Sequence, residues 1–408
     1  MKILIHSINY LPELTGIGKF TGEMGTWLAA RGHDVRIVTT PPYYPEWRIK
    51  EGYRRFWYAR EDIAGAKVWR CPFWVPRRPT SFKRIIHLAS FSLTSLPVLL
   101  WQALVFRPDV VFVIKPPAFS LPGGLLAALV GGARSWLHVQ DFEVDAAFEM
   151  KLLSGGWLRR AVLAAEAFWI RRYRFATTIS PRMLDKLRAK GVVEECSALF
   201  PNWADTENIR PLDRPSSYRA ELGLKAGTVV ALYSGNMGDK QGLATILDAA
   251  RRTADLGIVH FILAGEGAAR ARLEEEACDL ANVTVMDLQP LDRLNEFLNL
   301  ADIHLLPQRA DAADLVMPSK LGGMLASGRP VIAGASPGTQ VADAVTGAGI
   351  VVPPDDGAAM AEAIVELAAA PGRRAALGKA ARERALAQWD RETILARVEG
   401  LLAAGPPS

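Results

Sequence analysis

The stretch Pro318-Ser319-Lys320-Leu321-Gly322-Gly323-Met324-Leu325-Ala326-Ser327-Gly328-Arg329-Pro330-Val331-Ile332-Ala333 contains the building unit of this chain. A loop ends in Pro-Ser, a helix begins, small residues close it, and an apolar β-branched run follows as a buried strand. Ser319 is suited to cap that helix, which leaves the next backbone N–H groups free. A free helix start with Lys320 beside it favours a phosphate or diphosphate. An ordinary capped helix of an α/β protein reads the same way, so neighbouring segments must decide.

Outward from this stretch the alternation recurs. Buried strands are expected at 229–234, 260–264, 283–286, 303–306 and 330–333, and upstream at 2–8, 35–39, 110–114, 135–139 and 177–179. Helices are expected between them, among them 18–30 and 85–106. Parallel strands with crossover helices, run twice, predict an α/β protein of two doubly wound, Rossmann-like domains. A length of 408 residues also exceeds one ordinary core. The connector over 200–213, with Pro201 and Pro211, reads as the hinge. It divides the chain into 1–205 and 206–385, followed by an alanine-rich helical segment at 386–408.

Hydrophobic residues make up 50% and charged residues 22%, which is globular rather than disordered composition. Cys71, Cys196 and Cys278 lie far apart and form no metal pattern, which suits a reducing cytoplasm. The N-terminus runs straight into a strand without signal-peptide features, so a cytoplasmic location is expected. Charge is uneven: residues 1–205 carry +11 and the remainder −6. Residues 85–106 contain no Asp, Glu, Lys or Arg and follow Arg77, Arg78, Lys83 and Arg84. By length this segment could span a bilayer. The strand at 110–114 would then lie across the membrane from the strand at 2–8. The expected arrangement is a helix with one face on the sheet and the other toward an anionic membrane surface, the alternative being a fully buried core helix. The apolar run at 119–130 carries the same ambiguity. No recognition motif or aromatic-interleaved basic ribbon supports nucleic acid as a partner.

In open parallel sheets, ligands bind beyond the carboxyl ends of the strands. After the first strand come Gly16 and Gly18 ahead of a helix, with Lys19 beside them. Such glycines permit close backbone approach to an anion. After 229–234 come Gly235, Asn236, Gly238, Lys240 and Gln241, again a glycine turn before a helix. This is neither a Walker loop nor a dinucleotide fingerprint, because the required Gly-Lys-Ser/Thr ending and third glycine are missing. Gly265-Glu266-Gly267 follows the next strand and could equally be a simple tight turn. His138-Val139-Gln140-Asp141-Phe142-Glu143 ends the strand at 135–139 and puts a histidine and carboxylates at a sheet edge.

Together these segments resemble the family-4 retaining glycosyltransferases of GT-B fold, two Rossmann-like domains facing across a cleft. The resemblance rests on Gly16-Ile17-Gly18 with the 28–35 run, and on Phe200-Pro201-Asn202-Trp203-Ala204-Asp205. It rests also on Gly265-Glu266-Gly267, on 301–307 and on the Ser319-to-Pro330 block. The segments at 9–19 and 41–47 are similar to the exopolysaccharide-building branch, the colanic acid biosynthesis glycosyltransferases. The resemblance implies a nucleotide-sugar donor, GDP- or UDP-linked, held by the second domain. It implies a lipid-linked saccharide acceptor held by a membrane-facing first domain that the 386–408 segment completes. No metal or other cofactor is expected, because protein cations take over the diphosphate charge.

Carried over residue by residue, the donor phosphates fall to Gly16, Gly18, Gly235, Asn236, Lys240, Gln241, Ser319 and Lys320. The donor sugar and nucleoside fall to Glu266, Asp314, Leu288 and Pro318, and the acceptor side to Lys19, Asp141 and Glu143. His138 matches a histidine placed near the transferring sugar. Leu315 and Gly323 stand where many members carry glutamates, with Asp311 or Asp314 as stand-ins for the first. A nucleotide-sugar epimerase of the same fold, and a non-catalytic membrane-associated subunit, are the rival readings.

Overall fold

The structure is a computed structural model, and it describes residues 1–14, 16–77, 80–145, 156–238, 241–310 and 318–405. The chain forms two compact units, Met1–Asn202 with Leu395–Ser408, and Trp203–Ile394.

The first unit is built on eight strands: β1 (Lys2–His6), β2 (Asp34–Thr39), β3 (Ala59–Ile63), β4 (Ala66–Arg70), β5 (Val110–Lys115), β6 (Arg134–Val139), β7 (Phe175–Thr178) and β8 (Ser197–Leu199). They lie in the order β3-β4-β2-β1-β5-β6-β7-β8. All neighbours are parallel except β3, which pairs antiparallel with β4. β5, VVFVIK, is buried along its whole length, as a central parallel strand covered on both faces must be. The order reverses between β1 and β5, and this switch point is where the sheet leaves a crevice beyond its carboxyl edge.

The helix Ser81–Phe106 lies on this sheet. Thr80 caps its start, and Arg107, in left-handed backbone at φ 49°, ends it. Phe91, Ser95, Leu99, Ala103 and Phe106 recur at three- or four-residue spacing and are buried. Phe82, Ile86, Leu93, Trp101, Leu104 and Val105 point away from the sheet and are exposed. Only 28% of its most apolar window is buried, so this is not the fully buried core helix of the alternative reading.

The second unit holds β9 (Val229–Ser234), β10 (Val259–Ala264), β11 (Val283–Met286), β12 (Ile303–Leu306), β13 (Val331–Gly334) and β14 (Gly349–Val352). Their order is β11-β10-β9-β12-β13-β14, all parallel. Counted along the chain this is three-two-one-four-five-six, the Rossmann order, with its switch point between β9 and β12.

The unit limits differ slightly from the sequence division at 205/206 and 385/386. Ala204 N–H donates to Trp389 O (2.8 Å), which ties the start of the connector to the end of the helix Pro371–Gln388. Residues 203–205 and 386–394 therefore belong to the second unit. Only from Leu395 does the last helix, Arg391–Ala404, pack on the first unit, where Glu399 binds Arg31 (2.9 Å) and His33 (2.8 Å).

Candidate functional site

The carboxyl edge of the second sheet carries two interlocked loops. Gly235, at φ 144°, follows β9 and donates its N–H to Ala264 O (2.9 Å). A Cβ on Gly265 would fall 1.9 Å from the Gly235 carbonyl oxygen, and one on Gly267 2.4 Å from Met237 O. Met237 N–H reaches Glu266 O (2.8 Å) and Ala269 N–H returns to Met237 O (2.9 Å). These glycines are therefore required by backbone-to-backbone approach, which fixes the turn after β9.

Lys320 closes over that turn. Its Nζ stands 3.8 Å from the centre of the Tyr233 ring, and a Cβ on Gly235 would lie 3.3 Å from its Cδ. The ammonium makes no hydrogen bond or ion pair with any described residue. Burial without a partner lowers it to about 7. A cation held at the switch point without a counter-charge among the described residues gains from any anion that arrives.

The helix it begins, Lys320–Ala326, does not take the expected cap. Ser319 has helical backbone (φ −59°, ψ −23°) and its side chain accepts no capping bond, because a hydroxyl reaches the N3 amide only from extended geometry. The Leu321 amide is taken by Pro318 O (3.0 Å) instead. The anion attraction expected of this helix start therefore falls mainly to the Lys320 side chain.

The other donor-side residues are distributed as follows. Asn236 follows Gly235 in the turn, with its side chain within reach of Gly238 and Gly267. Gln241 N–H bonds Gly238 O (3.0 Å). Leu288 is exposed just past β11. Glu266 is not a free carboxylate: it pairs with Arg270, which also holds Glu274 (2.8 Å) and Asp287 (2.5 Å). Gly323 sits in the helix facing Ile209 and Leu298, and brings no carboxylate. Lys240 and Asp314, with Asp311 and Leu315, lie outside the described residues.

At the edge of the first sheet the two glycines separate. Gly16 opens its helix, Gly16–Ala30, at φ 54°, with free space where a Cβ would be. Gly18 is not exposed to a ligand: a Cβ there would lie 2.7 Å from Glu13 Cβ. Gly22 and Gly25 serve the same tight packing against Leu11 and Tyr10. Glu13 accepts from Asn9 Nδ2 (2.7 Å) and from the amides of Tyr43 (2.8 Å) and Tyr44 (2.9 Å), binding the loops after β1 and β2 together. Lys19 is half-buried, with its ammonium 5.6 Å from the centre of the Phe20 ring.

His138 is 2% exposed, and both ring nitrogens are satisfied inside the protein. Gln140 Nε2 donates to His138 Nε2 (2.9 Å) and to Asn202 Oδ1 (3.0 Å), while Asn202 Nδ2 returns a bond to Gln140 Oε1 (3.1 Å). Because Nε2 accepts, the proton sits on Nδ1 and is donated to Thr177 Oγ1 (3.0 Å). Burial lowers the imidazole to about 3, so it stays neutral. The histidine orients Gln140 and Asn202 rather than presenting a nitrogen to a ligand.

Glu143 is also committed internally. It bonds Lys115 Nζ (2.5 Å) and the Ala118 amide (2.6 Å), and Lys115 bonds Glu166 as well (2.9 Å). Lys115 is fully buried; burial opposes its charge, and the two carboxylates outweigh it. Asp141 is half-buried at the strand end, and burial raises its carboxyl against the pull of Lys115. Sequence reading missed Gln140, Asn202, Thr177 and Lys115. The signal available was one charged residue closing an otherwise apolar strand. Among the described residues no group of three or more His, Cys, Asp and Glu is placed to hold a metal ion.

Two doubly wound sheets, the second in Rossmann order, define the class of fold, and comparison narrows it. The chain belongs to the glycosyltransferases: residues 15–203 match the glycosyl transferase 4-like domain and 228–370 the glycosyl transferases group 1 domain. It is 39% identical over 405 residues, 97% of this chain and 98% of the other, to a protein of Escherichia coli (strain K12) that bears the name of a colanic acid biosynthesis glycosyl transferase, WcaI. Among solved structures it is similar to sucrose-phosphate synthase from Thermosynechococcus elongatus, with a TM-score of 0.74, 20% identity, and 99% and 100% of the two chains covered. It is also similar to HepE of Anabaena solved with UDP and glucose, with a TM-score of 0.68, 14% identity and the same coverage. The fold is GT-B.

Proposed function

We propose that the chain is a retaining, metal-independent glycosyltransferase. It moves a sugar from a nucleoside-diphosphate sugar to a lipid-linked saccharide, in assembly of a colanic-acid-like exopolysaccharide at the cytoplasmic face of the membrane. The single observation carrying the donor half is the Lys320 ammonium, without a partner among the described residues, beside Gly235 at the switch point of the second sheet. The exopolysaccharide setting is supported by the name of the relative that matches along the whole chain, and a lipid-borne acceptor by the apolar outer face of Ser81–Phe106.

In this reading the donor diphosphate lies against the turn after β9. Lys320 neutralises the charge that grows on the diphosphate as the bond to the sugar breaks, so stabilisation is greatest when the leaving group is most charged. The His138–Gln140–Asn202 network holds the amides of Gln140, just past β6, and Asn202, just past β8, in one orientation for polar groups of the sugars. The test is transfer from a panel of UDP- and GDP-linked sugars to a lipid extract from exopolysaccharide-producing cells. A radiolabelled lipid-linked product with one donor supports the reading. Release of an isomerised free nucleotide sugar, without transfer, contradicts it.

A further inference from the structure

The loop between β2 and β3, residues 41–58, encloses a cavity of 710 Å³ that no step of the proposed transfer uses. It is lined by Trp47, Arg48, Lys50, Tyr53, Arg55 and Arg77, with Glu46 and Glu51 at its wall. None of the four cations makes an ion pair among the described residues, and with only Glu46 and Glu51 opposite them the cavity keeps an excess of positive charge. The volume falls in the range of about 300–1,000 Å³ typical of ligand pockets, far more than a single phosphate needs.

The wall is held rigidly. Trp47 adopts left-handed backbone at φ 52°, which a bulky residue keeps only when its surroundings over-determine it. Its indole packs on Tyr43 (5.8 Å) and His87 (5.3 Å), and the Arg84 guanidinium lies 5.9 Å from its ring centre. His87 and Arg84 belong to the start of Ser81–Phe106, so the cavity sits on the N-terminal end of that helix.

From the cavity an apolar track leads along the same helix. Phe56 and Trp57 are each 72% exposed, and Tyr58 anchors their segment by donating to Thr94 O (2.9 Å). Leu93, 71% exposed, is the neighbour of Thr94, and Trp101, Leu104 and Val105 continue the outer face. Cations in a hollow, followed by an exposed aromatic and aliphatic strip, match a molecule with a multiply charged head and a long hydrocarbon tail.

We propose that this cavity binds the diphosphate group of the lipid-linked acceptor, with the lipid chain leaving over Phe56–Tyr58 along the outer face of Ser81–Phe106. The assignment rests on the acceptor class proposed above and adds the place where its charged group is held.

The experiment titrates the full-length protein with geranylgeranyl diphosphate, with geranylgeraniol as the neutral control. Vesicles of phosphatidylglycerol and phosphatidylethanolamine serve as the bilayer control. Lys50→Gln/Arg55→Gln/Arg77→Gln should weaken geranylgeranyl diphosphate binding roughly tenfold or more, the scale of losing several charge-assisted contacts. Arg55→Lys, which keeps the charge, should stay within about threefold of wild type. Equal affinity of the triple variant and wild type overturns the proposal. So does equal affinity of wild type for the diphosphate and the alcohol, or a triple variant that loses only vesicle binding. Nucleoside-diphosphate binding in the same preparations separates the two claims. Its absence in the wild type contradicts glycosyl transfer. Its presence beside indifferent diphosphate-lipid binding contradicts the cavity assignment alone.

Discussion

In the proposed function, Lys320 is the residue on which donor binding turns. Its ammonium is disfavoured by burial in the free protein and stabilised when a diphosphate arrives, so binding should take up a proton near and above pH 7. Affinity for a nucleoside diphosphate should therefore fall as pH rises from 7 to 8.5. Lys320→Met should lose that pH dependence. The same change should raise the melting temperature of the unliganded protein at pH 7, because the unfolded chain no longer gains from charging a lysine that the fold penalises. A Lys320→Met variant that melts lower than wild type would argue against an uncompensated cation at this position.

Gly265 makes a second residue-scale test. A Cβ there meets backbone rather than a flexible side chain, so Gly265→Ala should cost about 1–3 kcal/mol and weaken nucleotide binding together, measured by denaturant melts and calorimetry. Unchanged stability would contradict the interlocked-loop geometry. Gly265-Glu266-Gly267 was legible as a turn, but its purpose was not. Sequence shows that a side chain is missing, whereas only coordinates show which atom would occupy its place. Gly18 illustrates the same limit: a Gly-x-Gly before a helix suggests a ligand, yet its space is taken by the side chain of Glu13, five residues back, because the chain folds over itself there. His138 too was legible as a strand-end histidine, while its satisfaction by Gln140 and Thr177 depends on β7 and the connector.

At the scale of elements, the helix Ser81–Phe106 offers apolar side chains to water at Leu93 and Leu104. Leu93→Glu/Leu104→Glu should leave the melting temperature near that of wild type, since neither side chain is in the core. If this exposed strip meets lipid as proposed, it should weaken flotation with anionic vesicles by roughly tenfold, because negative charges there oppose insertion. A large loss of stability with unchanged flotation would assign that strip to an internal contact. The two faces of this helix were readable because burial recurs with helical period. The β3–β4 hairpin was not: Ala59–Ile63 reads Ala-Arg-Glu-Asp-Ile, an edge strand whose charges protect it from further pairing and hide the alternation. Its turn, Ala64-Gly65, has alanine at φ 45° where asparagine would have announced it. β14 was missed for a related reason, being four residues entered through glycine.

For the molecule as a whole, buried histidines set the response to acid. Burial lowers His6, His138 and His304 to about 3 and His87 to about 4. The unfolded chain takes up these protons below about pH 6.5, and the folded chain does not. Stability is therefore fully present above that pH and is lost as pH falls toward the folded values, at about 1.4 kcal/mol per pH unit for each histidine. Glu13, Asp141 and Glu143, whose carboxyls burial raises, oppose this as they take up protons. Melting temperature should drop between pH 7 and 5.5, and a flat profile would refute the buried neutral state.

The proposed function has a nucleoside diphosphate bind at the β9 turn through Lys320. Calorimetric titration of wild type and Lys320→Ala with UDP and GDP at pH 7 tests it most directly. Measurable binding of one nucleotide to the wild type, weakened roughly 10- to 100-fold in the variant, is the predicted result. Equal affinity in the two proteins would contradict it.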